Sequence, residues 1–326
     1  MKSRSEVLKL LESHRGDYLS GEAIAEGLGL SRSGVWKIIK QLRDEGYPID
    51  AKNNRGYSLS PQSDLLSAEA LQPLIKDKNL WPNIHVFNSL PSTNTQAKAY
   101  AQQGAPQGTA VLAREQTAGR GRLGRSFYSP KNTGLYLSLI LRPQLRIDQS
   151  LYITAAVGVL LCQIISRVAG LDLQIKWVND LYHEKRKVCG ILTEAAADFE
   201  SGAIEYLVLG IGINLSPPQD DFPEEIKDRA GVLFPDQSPE RLNIKLAAEI
   251  INTLAMPEVF APRDTLMAEY KKRSLVLGRP VTLTSGAQPS KTGTVVDFTP
   301  EGFLLLETED GHRETISSGE VSLRLK

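Results

Sequence analysis

The sequence predicts a multidomain α+β protein of three units: a small helical unit closed by a β-hairpin, a larger mixed-sheet α/β unit, and a short all-β unit. Three observations predict it. Capped helical periodicity fills the first 45 residues and gives way to a strand–turn–strand pattern. From about residue 80 to residue 273, apolar strand-like runs alternate with helical ones. Beyond Val276 only short alternating segments remain, separated by Gly, Pro and Asp turns. A chain of 326 residues is long enough for two or three domains.

Lysine plus arginine equals aspartate plus glutamate, 38 each. A whole-molecule field therefore does not drive nucleic-acid binding, and any such binding must come from a local patch. The two cysteines, Cys162 and Cys189, lie far apart and form no C-x-x-C or metal spacing. That usage fits a reducing compartment and no protein metal site. The N-terminus lacks the apolar stretch of a signal peptide. The longest apolar run, 153–165, is interrupted by Thr154 and Gln163 and suits a core helix better than a membrane span. The expected location is cytoplasmic.

The first unit spans residues 1–60. Val7, Leu8, Leu10 and Leu11 share a helical face. Ser20 is an N-cap for a helix reaching Leu28, Gly29-Leu30 supplies a turn, and Ser31 caps a third helix to about Glu45. In it, Val35, Ile38, Ile39 and Leu42 form one buried stripe. The opposite side presents Arg32, Ser33, Lys37 and Lys40, with Trp36 at its edge. Two short helices, a glycine turn and a basic second helix are the pattern of a helix-turn-helix. Residues 49–59 read as a hairpin turning at 53–56, a wing with Lys52 and Arg55 at its tip. The DNA-facing set is Ser31, Arg32, Ser33, Trp36, Lys37 and Lys40 with Lys52 and Arg55. A helical protein-interaction domain with a solvated charged face is the alternative.

Residues 61–79 read as a linker holding a short helix that starts at Ser67. The central unit, 80–273, opens with a strand at 85–87 and a helix through Ala97 to Gln103. Before that helix, Ser92, Thr93 and Asn94 serve either as a plain N-cap or as partners for a polar ligand head. Strands follow at 109–115 and 134–141; in the second, Leu135, Leu137, Leu139 and Leu141 alternate with Tyr136 and Ser138, so one face is buried. An apolar helix at 151–168 packs on that sheet. Strands at 173–178 and 187–194 read as one hairpin, with Lys176, Asn179, Asp180 and Lys187 near its turn end: a polar site or a salt-bridged hairpin end. The strand 206–213 carries Gly210 and Gly212, which mark close approach of a ligand or another backbone. Residues 220–230 suit a mobile loop, and helices follow at 242–254 and 265–272. The last unit, 274–326, has strands at 281–284, 293–297, 303–306, 313–316 and 321–325, a small β-barrel. It carries no recognisable site and reads as a packing or partner surface.

Between the strands of the central unit lies Thr117-Ala-Gly-Arg-Gly-Arg-Leu-Gly-Arg125, with three arginines and three glycines in nine residues. Glycine lets backbone approach a ligand closely, and arginine forks match carboxylate or phosphate oxygens. Gly119, Gly121 and Gly124 match the dinucleotide spacing G-x-G-x-x-G, but turn chemistry rather than a helix follows them. A kinase loop fails as well, because no H-R-D or D-F-G follows. A clamp for a small anionic ligand and a solvated basic loop both remain.

Taken in order, the winged helix, Ser92-Thr-Asn94, Gln116-Thr-Ala-Gly-Arg-Gly-Arg-Leu-Gly-Arg125, Lys176-Trp-Val-Asn-Asp180, Arg186-Lys-Val-Cys-Gly-Ile-Leu192 and Gly210-Ile-Gly-Ile-Asn214 resemble the bifunctional biotin protein ligase and biotin operon repressor family. The resemblance covers essentially the whole chain. It implies a central domain like those of class II aminoacyl-tRNA synthetases and biotin–lipoate ligases, and an SH3-like C-terminal barrel. The implied reaction joins biotin to Mg-ATP, giving biotinyl-5'-AMP and pyrophosphate. Biotin then passes to a lysine of the biotin carboxyl carrier protein of acetyl-CoA carboxylase. By the resemblance, Arg120, Gly121 and Arg122 close over the ligand. Ser92, Thr93, Asn94 and Gln116 hold the ureido ring, and Lys187 contacts carboxylate and phosphate. Asp180 orients or deprotonates the incoming amine, while Gly210 and Asn214 border the nucleotide. Biotinyl-5'-AMP, as corepressor with Mg²⁺-dependent origin, would pair two chains as a homodimer on double-stranded operator DNA. Val178 stands where the family usually has proline. No tryptophan lies between Asn214 and Phe234 to cover the adenylate, leaving Phe222 as the substitute. A ligand-sensing repressor without ligase activity and a lipoate-type ligase are the alternatives.

Overall fold

The computed structural model describes residues 2–198, 200–285 and 288–323. After α1 (Lys2–Ser13), the Ser20 side chain accepts from the Ala23 amide and starts α2 (Gly21–Leu28). Gly29 ends α2 at φ 64°, and Ser31 accepts from the Gly34 amide to cap α3 (Arg32–Asp44). Val7, Leu8, Leu11, Ile24, Val35, Ile39 and Leu42 close a small core. Leu10 and Ile38, expected on the same faces, are only partly buried at its edge. The wing pairs β1 (Ile49–Lys52) with β2 (Gly56–Leu59), antiparallel. Gly56, at φ 103°, lies so close to the α1–α2 connection that a Cβ would sit 2.0 Å from Leu19 O.

The segment expected to be a linker is packed. Ser67 caps α4 (Ala68–Leu71), and Leu66, Ala70, Leu71 and Ile75 are buried in the same core as the central sheet. Asp64 accepts from the amides of Asn243 and Ile244, at 2.8 and 3.0 Å. Arg114, 4% exposed, reaches across from the central unit. Its Nε and Nη2 donate to Leu66 O (2.9 and 2.7 Å), Nη2 to Tyr47 Oη (2.7 Å), and Nη1 to Glu45 O at the end of α3 (3.3 Å). Arg114→Met keeps the bulk but leaves these acceptors without their donor. It is expected to cost about 3 kcal/mol in thermal unfolding. An unchanged melting temperature would assign these bonds no net weight.

The central sheet has seven strands, ordered β3-β4-β5-β9-β8-β7-β6. β3 (Ile84–Phe87) runs parallel to β4 (Ala110–Ala113), with α5 (Thr93–Gln102) between them in sequence. All other pairs are antiparallel. β5 (Gly134–Leu141) is buried on both faces rather than one. Its leucines meet the large core, whereas Ile140 packs with Ala97, Ala101 and Val208 under α5. The apolar α6 (Ser150–Ala169) is buried along most of its length.

The expected single hairpin is three strands: β6 (Gln174–Lys176), β7 (Asp180–His183) and β8 (Arg186–Ala197). The chain turns once at 177–179, with a cis Trp177–Val178 peptide, and again at Glu184 and Lys185, both with positive φ. Only Leu181 of β7 is fully buried, so the strand is too short to show alternation in the sequence. β9 (Ile204–Asn214) lies between β5 and β8. The segment read as a mobile loop contains α7 (Glu224–Lys227) and is tied to β8. Lys187 N donates to Arg229 O at 2.7 Å, and Gly231 N to Lys187 O at 2.8 Å. Then α8 (Leu242–Leu254) and α9 (Arg263–Arg273) pack on α6.

The C-terminal unit is an antiparallel sheet of β10 (Pro280–Ser285), β11 (Gln288–Phe298), β12 (Leu304–Glu307), β13 (Arg313–Ile316) and β14 (Glu320–Leu323). Of the last predicted strand, Arg324 and Leu325 lie outside the described residues. This unit shares the main core through Val281, Val295, Phe298 and Val321. Trp177 Nε1 donates to Gly302 O at 3.0 Å.

Candidate active site

Two cavities meet over the face of β8 and β9. Arg122, Phe127, Asn179 and Lys187 line both. With the open solvent at their mouths included, the inner cavity spans about 450 Å³ and the outer one about 1340 Å³.

Two strand positions that line the inner cavity lack side chains, Gly210 and Gly212. A Cβ at Gly210 would lie 2.1 Å from Asn94 Oδ1, and one at Gly212 would lie 2.5 Å from the Phe127 ring. The glycines let those groups lie directly on the sheet. Of the two readings of Ser92, the structure bears out the N-cap and puts the residue at the cavity wall. Its hydroxyl accepts from Thr95 N to cap α5, and it lines the cavity with Thr93 and Asn94. All three are 3–4% exposed. Their bonds form a chain. The Thr93 amide donates to Gln116 Oε1 (2.8 Å), and Gln116 Nε2 donates to Ser129 Oγ (2.9 Å). Ser138 Oγ lies 2.8 Å from Thr93 Oγ1 and 2.6 Å from Asn94 Oδ1. Asn94 Nδ2 donates to Glu194 Oε2 (3.0 Å) and Leu192 O (3.3 Å). A buried array of fixed donors and acceptors suits a small polar ring with both kinds of group.

The arginine-glycine loop folds back on itself. Gly121 N donates to Arg125 O at 2.7 Å, and Phe127 N to Gly119 O at 2.8 Å. Its arginines take separate directions. Arg120 lies 3.1 Å from Glu194 at the inner cavity. Arg122 Nη1 donates to Asn179 Oδ1 at 3.1 Å, and burial pulls its pKa down while Asp180 opposes the change. Arg125 pairs with Glu320 of β14. The C-terminal unit thus edges the outer cavity through Glu320 and Ser322. The sequence reading found no site in this unit; these residues reach the cavity edge by tertiary packing that no local pattern announces.

Lys187 Nζ sits 2.6 Å from Asp180 Oδ1, where the two cavities join. Lys176 also faces the outer cavity, its pKa pushed down by burial against the pull of Asp180. Partly desolvated cations gain from an incoming anion, so the junction is built for negative charge. Asn214 lines the outer cavity and donates from Nδ2 to Gly231 O at 2.9 Å. Phe222 stands there edge-on to Tyr128, centroids 6.2 Å apart. Among the described residues no three His, Cys, Asp or Glu side chains converge as a metal site. Sequence reasoning missed Glu194, Phe127, Tyr128 and Ser138. Of these only Glu194, an acid on an apolar strand, carried a local signal.

On the first unit, Ser31, Arg32, Ser33, Trp36, Lys37 and Lys40 are exposed along α3. Trp36 is 55% exposed with Lys40 Nζ 5.7 Å above its ring, and Arg32 pairs with Glu22. Lys52 and Arg55 are exposed on the wing.

Residues 86–214 match the family model described as Biotin/lipoate A/B protein ligase family. Residues 3–58 match an HTH domain, and residues 276–324 the Biotin protein ligase C terminal domain. The bifunctional ligase/repressor BirA of Bacillus subtilis (strain 168) is 33% identical over 321 residues, 97% of either chain. That of Escherichia coli (strain K12) is 29% identical over 328 residues, 99% of either chain. The solved biotin protein ligase from Aquifex aeolicus in complex with biotin and ATP is 30% identical at a TM-score of 0.61. It covers 75% of this chain and 99% of that one.

Proposed function

This chain belongs to the family of bifunctional biotin protein ligases and biotin operon repressors, and from that premise we propose how its residues divide the work. It is an ATP-dependent biotin–[acetyl-CoA-carboxylase] ligase that forms biotinyl-5'-AMP and biotinylates a lysine of the biotin carboxyl carrier protein. With biotinyl-5'-AMP it is a DNA-binding repressor of biotin operon transcription. Residues 1–60 are assigned to DNA, 61–79 to the connection, 80–273 to catalysis and 274–326 to an SH3-like barrel. ATP and operator DNA, the partners of this reading, assign it to the cytoplasm.

The observation that carries the site assignment is the junction of two cavities at Arg122 and Lys187. The ureido ring of biotin fits the inner array of Ser92, Thr93, Asn94 and Gln116. Its carboxylate then points to the junction, and ATP fills the outer cavity. Gly210 and Asn214 border the adenylate, and Phe222 with Tyr128 offers an aromatic wall to adenine. A carboxylate oxygen attacks the α-phosphorus as the bond to pyrophosphate breaks. Arg120, Arg122 and Lys187 offset the charge of two anions brought together. Mg²⁺ enters as part of the Mg-ATP substrate. In the second step the lysine amine attacks the mixed anhydride carbonyl, AMP leaves, and Asp180 takes or orients the amine proton. The folded loop 117–125 over the junction shields the adenylate from water. Biotinyl-5'-AMP, by ordering surface loops, pairs two chains so that two winged helices meet a palindromic operator. A sensor without ligase activity would have no use for this full set of junction cations.

Glu194 holds Asn94 and Arg120 together, one from the ring site and one from the clamp. Glu194→Gln keeps an acceptor but removes the carboxylate charge that faces Arg120. Biotin binding is expected to weaken about tenfold by calorimetry. Unchanged affinity would mean Glu194 orients neither group. The function is tested by incubating the chain with biotin, ATP and an acceptor domain. Labelling requires both ligands; labelling without ATP, or none with biotin bound, contradicts the assignment.

A further inference from the structure

The two wing cations are not free. Lys52 Nζ lies 5.0 Å, and Arg55 Cζ 4.5 Å, from the centroid of the Tyr18 ring. Both are within cation–π reach of a single aromatic. The Tyr18 hydroxyl donates to Asp50 on β1, and Asp50 lies 3.7 Å from Lys52 Nζ. Tyr18 comes from the α1–α2 connection, not from the wing. Its neighbour Leu19 exchanges two backbone hydrogen bonds with Tyr57 of β2, each 2.9 Å. The connection is therefore bridged to the wing at one residue pair, and it carries the ring in a fixed place against the hairpin. Two like charges would otherwise separate; the ring and Asp50 keep them side by side.

We propose that Tyr18 is a positioning residue for DNA binding: its ring holds Lys52 and Arg55 ordered on one side of the wing, and its hydroxyl fixes β1 through Asp50. The inference rests on the DNA-binding assignment above and names a residue that assignment lacks. Long cationic side chains lose rotamer freedom when they contact phosphate. A wing whose cations are already ordered loses less, so the same phosphate contacts give tighter binding. The tyrosine contributes through the cations and not by touching the duplex.

The test uses the full chain loaded with biotin and ATP and a fluorescent mixed-sequence duplex, because phosphate contacts are independent of sequence. Tyr18→Leu keeps apolar bulk but offers no π face, and is expected to weaken duplex binding about tenfold. Tyr18→Phe restores the ring and recovers most of that loss. In a Lys52→Ala/Arg55→Ala background, Tyr18→Leu has no further effect. Acceptor labelling by the two single Tyr18 variants matches the parent. Parent-like binding by Tyr18→Leu overturns the proposal. So does an equal loss in both backgrounds, which would make Tyr18 a direct contact or a plain packing residue. A parent chain that fails to bind any duplex overturns the DNA-binding assignment itself, and this inference with it.

Discussion

Lys187→Ala is expected to slow acceptor labelling by about 10²- to 10³-fold, the scale seen when one preorganised donor is removed from developing charge. Its ammonium stands at the junction of the cavities, 2.6 Å from Asp180 Oδ1. With Arg122 it lines both cavities, where the proposed reaction brings biotin carboxylate and α-phosphate together. The backbone of Lys187 is bound to Arg229 and Gly231, so alanine removes the charge and leaves the strand in place. Removal also leaves Asp180 beside two incoming anions with its counter-charge gone. The rate of adenylate formation should therefore fall more than biotin affinity does. Single-turnover pyrophosphate release against calorimetric biotin binding separates the two. Equal losses in both would make Lys187 a ground-state contact. Lys187→Arg should recover part of the rate, since its fork differs in reach and geometry from a point charge.

Gly210→Ala is expected to weaken biotin binding about 10²-fold, from displacement of positioning groups on the scale of an ångström. The new Cβ would fall 2.1 Å from Asn94 Oδ1 and 2.8 Å from its Cγ. Asn94 must leave, and its bonds to Ser138, Leu192 and Glu194 go with it. The strand register with β5 and β8 is untouched by a methyl, so the loss should appear in biotin affinity more than in melting temperature. Full biotin affinity in this variant would mean that Asn94 is not in the ring site.

What the sequence announced was short in range. Ser20, Ser31, Ser67 and Ser92 are visible because a cap and its amide partner lie three residues apart. The leucines of β5 are visible because alternation persists over eight residues. The burial of its other face was not, since α5 covers it from another part of the chain. Gly210 and Gly212 signalled close approach, but only the fold reveals that Asn94 and Phe127 are what approaches. Glu320 and Arg114 are joined to their partners across 195 and 48 residues, and no spacing encodes that. The resemblance carried the identity of the ligand. Composition and periodicity alone left the arginine loop open between clamp and solvated surface.

The central claim is that one adenylate serves two fates, transfer and repression. It is tested most directly by following binding of the chain to a duplex from its own biotin operon promoter while acceptor domain is added. The account predicts that binding requires biotin and ATP together, and that unlabelled acceptor releases the DNA in step with its own biotinylation. Retention without ligands, or retention that persists while acceptor consumes the adenylate, would contradict it.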